Sequence, residues 1–246
     1  MKLVLLGTGG YHPSDHRQTA CLLLPEVGVV LDAGTALYRA RGWLETSRLE
    51  IFLTHAHLDH VIGLTYLFDV LHEKAVDEVR VFGEVEKLDA IRTRLLHPLL
   101  FPATPPCRLL PIQPEHELPG GGRLTHFPLA HPGGVLGFRL DWPGHSLAYV
   151  TDTTADADAP YVQQVRDVDL LVHECNFVDG QEELARLTGH SCTTPVAQVA
   201  RAANAGRLVL VHFNPLSSAD DPIGLDAARR VFPDTDLGLD QQVIEF

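Results

Sequence analysis

Residues 54–60 read Thr54-His55-Ala56-His57-Leu58-Asp59-His60, three imidazoles and a carboxylate within six positions. With 14 His and 19 Asp in 246 residues, an H-x-H-x-D-H run is expected by chance about 0.003 times in a chain of this composition. Imidazole and carboxylate are the donors Zn²⁺ takes, and Mn²⁺ and Fe²⁺ accept the same sets. In an extended stretch leaving a strand, His55 and His57 fall on one side by the two-residue period. Asp59 and His60, at a turn into a helix, can point elsewhere, so one segment can serve two neighbouring ions. A single ion takes three protein ligands and an open position, and this segment with distant partners offers more than that.

The cluster sits where a strand ends. Arg48 to Thr54 is an apolar run that stops at the histidines, and Val61 to His72 reads as a helix. Strand, polar loop, helix is the arrangement that places functional groups at a strand's C-terminal end. Upstream, Leu3 to Leu6 is a strand closed by glycines, and Ala20 to Leu24 and Val27 to Leu31 flank Pro25-Glu26 as a hairpin. Val79 to Phe82 predicts a strand and Val85 to Leu96 a helix. From His97 to Gly122, seven prolines leave a rigid connection with a short strand near Cys107 to Ile112, the one seam in the chain. Beyond it come strands at Leu124 to Leu129, Val135 to Leu140 and Ser146 to Thr151, then a helix from Pro160 to Val165. Strand Leu170 to Glu174, helix Pro195 to Ala205, strand Leu208 to Val211 and helix Leu225 to Val231 follow. Two runs of consecutive strands, each passing into strand–helix alternation, predict an α/β fold. Its form is two mixed β-sheets facing each other with helices outside, in a single domain over residues 1–246.

At 246 residues and 45% hydrophobic content, such a chain buries enough surface to need no metal or disulfide staple, so a bound metal is there for chemistry. The formal charge of −13, spread along the chain, disfavours a broad nucleic-acid face, which needs clustered cations. Four separate cysteines with no C-x-x-C pair point to a reducing compartment. The first six residues run straight into a glycine cluster without a cleavage site, and no apolar run approaches a membrane span of roughly 18 residues. The expectation is a soluble, cytoplasmic protein.

T-H-A-H-L-D-H followed by Val61-Ile62-Gly63-Leu64 resembles the signature of the metallo-β-lactamase superfamily, and most closely its ribonuclease Z and cyclic-phosphate phosphodiesterase branch. The resemblance continues in order through Gly7-Thr8-Gly9-Gly10, Leu31-Asp32-Ala33-Gly34, Pro128-Leu129-Ala130-His131 and Tyr149-Val150-Thr151-Asp152-Thr153. It then runs on through His173-Glu174-Cys175-Asn176-Phe177, Gly189-His190-Ser191 and Leu210-Val211-His212-Phe213. It implies a four-layer αββα sandwich holding two divalent ions, Zn²⁺ first, with Mn²⁺ or Fe²⁺ as substitutes. Residue by residue, it makes His55, His57 and His131 the ligands of one ion and Asp59, His60 and His212 those of the other, with Asp152 bridging. His131, Asp152 and His212 each also stand at the end of an apolar run, in agreement with that assignment.

Two such ions share a water, lower its pKa to give a bridging hydroxide, and clamp phosphoryl oxygens. The resemblance implies that His190 protonates the departing alkoxide, Glu174 orients and charges that imidazole, and Asp59 accepts a proton from the attacking water. Cys192 stands where relatives usually have Thr. Ribonuclease Z grips tRNA with a long arm between the segments matched by His131 and Asp152, but only 20 residues separate them here, filled by two strands and a turn at Asp141-Trp142-Pro143-Gly144. The expectation is therefore a phosphodiesterase of small or cyclic phosphodiesters, with a small-molecule partner, no membrane, and a homodimer by analogy with relatives. A tRNA 3′ endonuclease, a lactonase- or sulfatase-type metallohydrolase and a metal-holding accessory protein are the alternatives. His12, Asp15 and His16 read as loop residues that could line an entrance.

Overall fold

The computed structural model describes residues 1–217 and 220–246. The chain forms two compact units, Met1–Gln113 with Asp240–Glu245, and Pro114–Leu239 with Phe246. Their boundary falls inside the proline-rich stretch that the sequence marks as a seam.

The first unit contains β1 (Lys2–Gly7), β2 (Cys21–Leu24), β3 (Val29–Leu31), β4 (Arg48–Phe52), β5 (Glu78–Gly83), β6 (Arg108–Pro111) and the chain's last strand, Gln242–Glu245. They make one seven-stranded sheet in the order last strand, β1, β2, β3, β4, β5, β6. The last strand and β1 to β3 pair antiparallel, whereas β3 to β6 run parallel. The β2–β3 hairpin turns at Pro25-Glu26 as the sequence predicts, with Gly28 at φ +67° completing it. Parallel strands need crossovers, and these carry the helices. They are a 3₁₀ segment Thr35–Gly42, α1 (Leu58–Val61), a second 3₁₀ segment Ile62–Tyr66, α2 (Leu67–Leu71), and α3 (Val85–Ala90), which continues into a single π turn at Ile91–Leu95.

The predicted Val61–His72 helix is thus three short pieces, starting earlier and broken within. Gly63 explains the break. Its N–H donates to the Ala33 carbonyl at 2.8 Å, and a Cβ there would lie 2.2 Å from the Gly34 oxygen. The chain after the histidine cluster is pressed onto the loop that follows β3, at the cost of regular helix. Buried Val4, Leu6, Leu23, Val30, Leu37, Ile51, Leu64 and Val81 form the core around it. At roughly 1.5–3 kcal/mol for each large side chain removed from water, such a core dominates the unit's stability.

The second unit contains β7 (Glu115–Leu118), β8 (Gly122–Leu129), β9 (Val135–Trp142), β10 (His145–Val150), β11 (Leu170–Glu174), β12 (Arg207–Val211) and β13 (Thr235–Leu237), which leaves β14 for the last strand. Its sheet runs in the order β13, β12, β11, β10, β9, β8, β7. The antiparallel part is β7 to β10 and the parallel part β10 to β13. The helices are α4 (Tyr161–Gln164), α5 (Glu182–Thr188), α6 (Thr193–Ala202) and α7 (Leu225–Val231). α6 begins two residues before Pro195, which is tolerated because a first-turn residue has no carbonyl partner for its amide. The strands β9 and β10 are joined by Pro143-Gly144 alone, with Gly144 at φ +83°. β7, β13, β14 and α5 are elements the sequence reading does not contain. Among the described residues, no helix is long and apolar enough to cross a membrane.

Candidate metal centre

In the first unit, β4 ends at Phe52 and α1 begins at Leu58, so His55 and His57 lie in the extended loop between them and Asp59 and His60 in the first helical turn. The His55 ring is 4.4 Å from the His57 ring and 4.2 Å from that of His60, centroid to centroid, and His60 Nε2 lies 3.4 Å from Asp59 Oδ2. The four predicted ligands of this segment therefore converge.

Asp32, directly after β3, organises them. Its carboxylate is fully buried, accepts from the Thr54 N–H at 2.8 Å and the Thr54 hydroxyl at 2.9 Å, and lies 2.8 Å from His60 Nδ1. A carboxylate can only accept, so His60 Nδ1 carries the proton and Nε2 keeps its lone pair. The Thr54 hydroxyl spends its single proton on Asp32, so at 3.0 Å it accepts from His55 Nδ1. His55 is left with its own Nε2 lone pair as well. One carboxylate thus fixes the tautomer of two imidazoles in the form that binds a cation, as outer partners of metal ligands do. Asp59 is held by the Tyr11 N–H, which donates to Oδ2 at 2.7 Å, and by the Thr19 hydroxyl, which donates to its carbonyl at 2.7 Å. The loop after β1 therefore does reach the cluster, through a backbone amide; His12, Asp15 and His16 are exposed.

In the second unit, His131, Asp152 and His212 follow the ends of β8, β10 and β12. Asp152 Oδ2 is 3.7 Å from His131 Nε2, and Oδ1 is 3.3 Å from His212 Nε2. His131 Nδ1 donates to the Gly189 carbonyl at 2.9 Å, which again leaves the lone pair on Nε2. Gly189 caps α5 at φ +75°, and a Cβ there would lie 2.6 Å from His131 Nδ1, so only glycine lets the ring and that carbonyl meet. Burial pushes the His131 pKa below its ordinary value, partly opposed by the Gly189 carbonyl.

His190 lies between these groups, with its ring 5.2 Å from that of His131 and 5.3 Å from that of His212. Its Nδ1 is 3.2 Å from Glu174 Oε1, which also accepts from the Thr153 N–H at 3.1 Å. Glu174 is fully buried, and its Oε2 has no hydrogen-bond partner among the described residues. Ligand atoms of Asp152, His190 and His212 all lie within 4.8 Å of one another. Around the His190 ring, His131, Asp152 and His212 bring two imidazoles and a carboxylate together, with the His131 tautomer fixed by the Gly189 carbonyl, and that donor chemistry fits a divalent cation. Cys192, the departure from the usual Thr, is a buried residue at the N-terminus of α6 whose thiol burial pushes up to about 11.

Residues 29–213 match the family model of the β-lactamase superfamily domain. The chain belongs to the metallo-β-lactamase superfamily. Within this superfamily of metal-dependent hydrolases it falls in the ribonuclease Z-like branch. Ribonuclease Z of Methanopyrus kandleri is 30% identical, with 93% of this chain and 91% of that protein covered. Ribonuclease Z of Acaryochloris marina is 28% identical over 302 residues, with 98% and 96% covered. That span exceeds the 246 residues of this metallo-β-lactamase-fold chain, so the relative carries segments that have no counterpart here. The metallo-β-lactamase fold protein YhfI of Bacillus subtilis superposes with a TM-score of 0.83 at 21% identity, with 99% of each chain covered. The two mixed sheets with their helices are thus the α/β sandwich of the superfamily.

Proposed function

We propose that this hydrolase is a dinuclear-metal phosphodiesterase acting on small or cyclic phosphodiesters. His55, His57 and His131 would hold one divalent ion, Asp59, His60 and His212 the other, and Asp152 both. The observation that carries the reading is the His190–Glu174 pair, an imidazole 3.2 Å from a fully buried carboxylate, set among His131, Asp152 and His212. When bound, the ions supply Lewis-acid stabilisation of the phosphoryl oxygens and a hydroxide source at neutral pH.

The chain's own groups handle the protons. A carboxylate partner at Nδ1 favours the imidazolium and aims the opposite N–H of His190 outward, where it protonates the departing alkoxide. Glu174 is a positioning residue, tied down by the Thr153 amide. Asp59, oriented by the Tyr11 amide, accepts a proton from the attacking water.

A small substrate is supported by the Pro143-Gly144 turn, which leaves β9 and β10 no length for an arm, and by the formal charge of −13. The second reading, a tRNA 3′ endonuclease, is favoured by the relatives named ribonuclease Z. The test is turnover by the metal-loaded protein of bis(p-nitrophenyl) phosphate, cyclic nucleotides, a lactone, a sulfate ester and a pre-tRNA, with elemental analysis of metal per chain. Turnover of the small phosphodiesters with two ions per chain supports the reading. Efficient pre-tRNA cleavage with no small-substrate turnover overturns it in favour of the endonuclease.

A further inference from the structure

Beside the histidine loop, the first unit has a cavity of about 260 Å³ walled by Leu58, Val61, Ile91, Leu95 and Leu100. It starts at the loop itself, since Ala56 and Leu58 flank His57 and both line it. Two of its walls are large apolar side chains left open to solvent, Leu58 at 66% and Leu100 at 74% exposure. The one charged residue lining it is Arg94, an exposed side chain with no carboxylate partner among the described residues. Arg94 stands on the π turn Ile91–Leu95, an irregularity that recurs at functional sites.

An apolar wall with a single unpaired guanidinium selects an occupant with an apolar body and one anionic group, because Arg forms bidentate, charge-assisted bonds with phosphate. The volume lies below the roughly 300–1,000 Å³ that encloses a drug-sized ligand, so it seats one ring-sized group and no more. Building on the phosphodiesterase reading, we propose that the Leu58–Leu100 groove receives the ring-bearing organic group of the substrate and that Arg94 binds a second phosphate on that group. Phosphorylated nucleosides have this chemistry. Arg94 is then a specificity-determining residue, separate from the groups that move protons.

The test compares two chromogenic substrates, thymidine 5′-(p-nitrophenyl phosphate) with and without a 3′-phosphate. Wild type is expected to show the lower KM for the 3′-phosphorylated compound. Arg94→Ala raises that KM about tenfold or more, the loss of one hydrogen-bonded charge contact, and leaves the unphosphorylated substrate within about twofold. Arg94→Lys recovers part of the difference. Ala90→Trp, which fills the groove from an exposed position, raises KM for both. Inhibition by thymidine 3′,5′-bisphosphate or by a short RNA tells a free nucleotide from a strand end, and Arg94→Ala weakens whichever competes. Equal KM values in wild type and Arg94→Ala for both substrates overturn the proposal. So does a change in oligomeric state with Ala90→Trp at unchanged KM, which makes the groove an interface between copies. If wild type cleaves neither compound, the phosphodiesterase reading is what fails. Calorimetric binding of thymidine 3′,5′-bisphosphate then decides the groove, Arg94-dependent binding supporting it and Arg94-independent or absent binding overturning it.

Discussion

Replacing Asp32 with Asn tests the claim that one buried carboxylate sets the tautomers of His55 and His60. Asn is nearly isosteric and tolerates the left-handed backbone at this position, φ +61°, so the loop can keep its course. One carboxylate oxygen, however, becomes an NH₂. If it faces Thr54, two donors confront each other. If it faces His60 Nδ1, the ring must accept there and move its proton to Nε2, the atom on the Asp59 side. A mispaired buried polar group costs about 1–3 kcal/mol. For a chain of this size, 2 kcal/mol is about 4–8 °C in Tm. The metal-free protein is therefore expected to melt several degrees lower. Because Nε2–H cannot ligate, zinc affinity is expected to fall about 10–100-fold, the usual effect of losing an outer partner of a ligating histidine. Thermal melts in chelator and competitive zinc titration against a chromophoric chelator measure the two effects. An Asp32→Asn protein that melts and binds zinc as the wild type does would refute the reasoning, since either placement of the NH₂ mispairs a buried group.

His190→Ala is expected to lower kcat for alkyl phosphodiesters about 10²–10⁴-fold with metal content unchanged, and much less for p-nitrophenyl esters, whose leaving group needs no proton. Glu174→Gln should move the basic limb of the kcat pH profile to lower pH, since the imidazolium loses its carboxylate partner; a profile superimposable on wild type would exclude pairing in the working enzyme. Gly189→Ala places a Cβ 2.6 Å from His131 Nδ1 at a φ of +75°, so it should lower Tm and weaken metal binding together, checked by melting with and without zinc. Burial holds the pKa of His173 below its ordinary value, with Nδ1 donating to the Glu174 carbonyl and Nε2 accepting from the Tyr161 hydroxyl. The folded state therefore resists a proton that the unfolded chain takes up below about pH 6.5. Its stability contribution is present above that pH and is lost as pH falls toward the depressed folded value, at up to about 1.4 kcal/mol per pH unit. Urea unfolding from pH 7 to 5 in chelator should show a shallower loss in His173→Asn than in wild type.

Most strands are legible because a run such as Leu3 to Leu6 or Leu170 to Glu174 is apolar and ends at a turn signal. The histidine cluster is legible because its composition is so improbable. The missed elements lack such patterns. In α5, Leu184 and Leu187 face solvent and only Ala185 is buried, so its sequence presents no apolar stripe. The edge strands β13 and β14 are three and four residues of mixed polarity, formed by pairing with β12 and β1 and not by their own propensity. Asp32 lies in a recognisable motif, yet its bond to His60 spans 28 positions and depends on the loop being folded back by Gly63. Tyr11 contributes an amide, for which no side-chain signal exists.

Asp32 of the first unit, and Asp152 and His212 of the second, sit at strand ends with φ of +61°, +46° and +60°. For most L-residues that geometry costs about 1–2 kcal/mol, whereas Asp, Asn and His tolerate it comparatively well. The polypeptide therefore filters which amino acids can occupy these three places before any ion binds. Engineering toward softer metals by introducing cysteine or methionine donors would meet backbone resistance there. His57, at φ −65° and exposed to solvent, is the position where a new donor could be tried with the least disturbance.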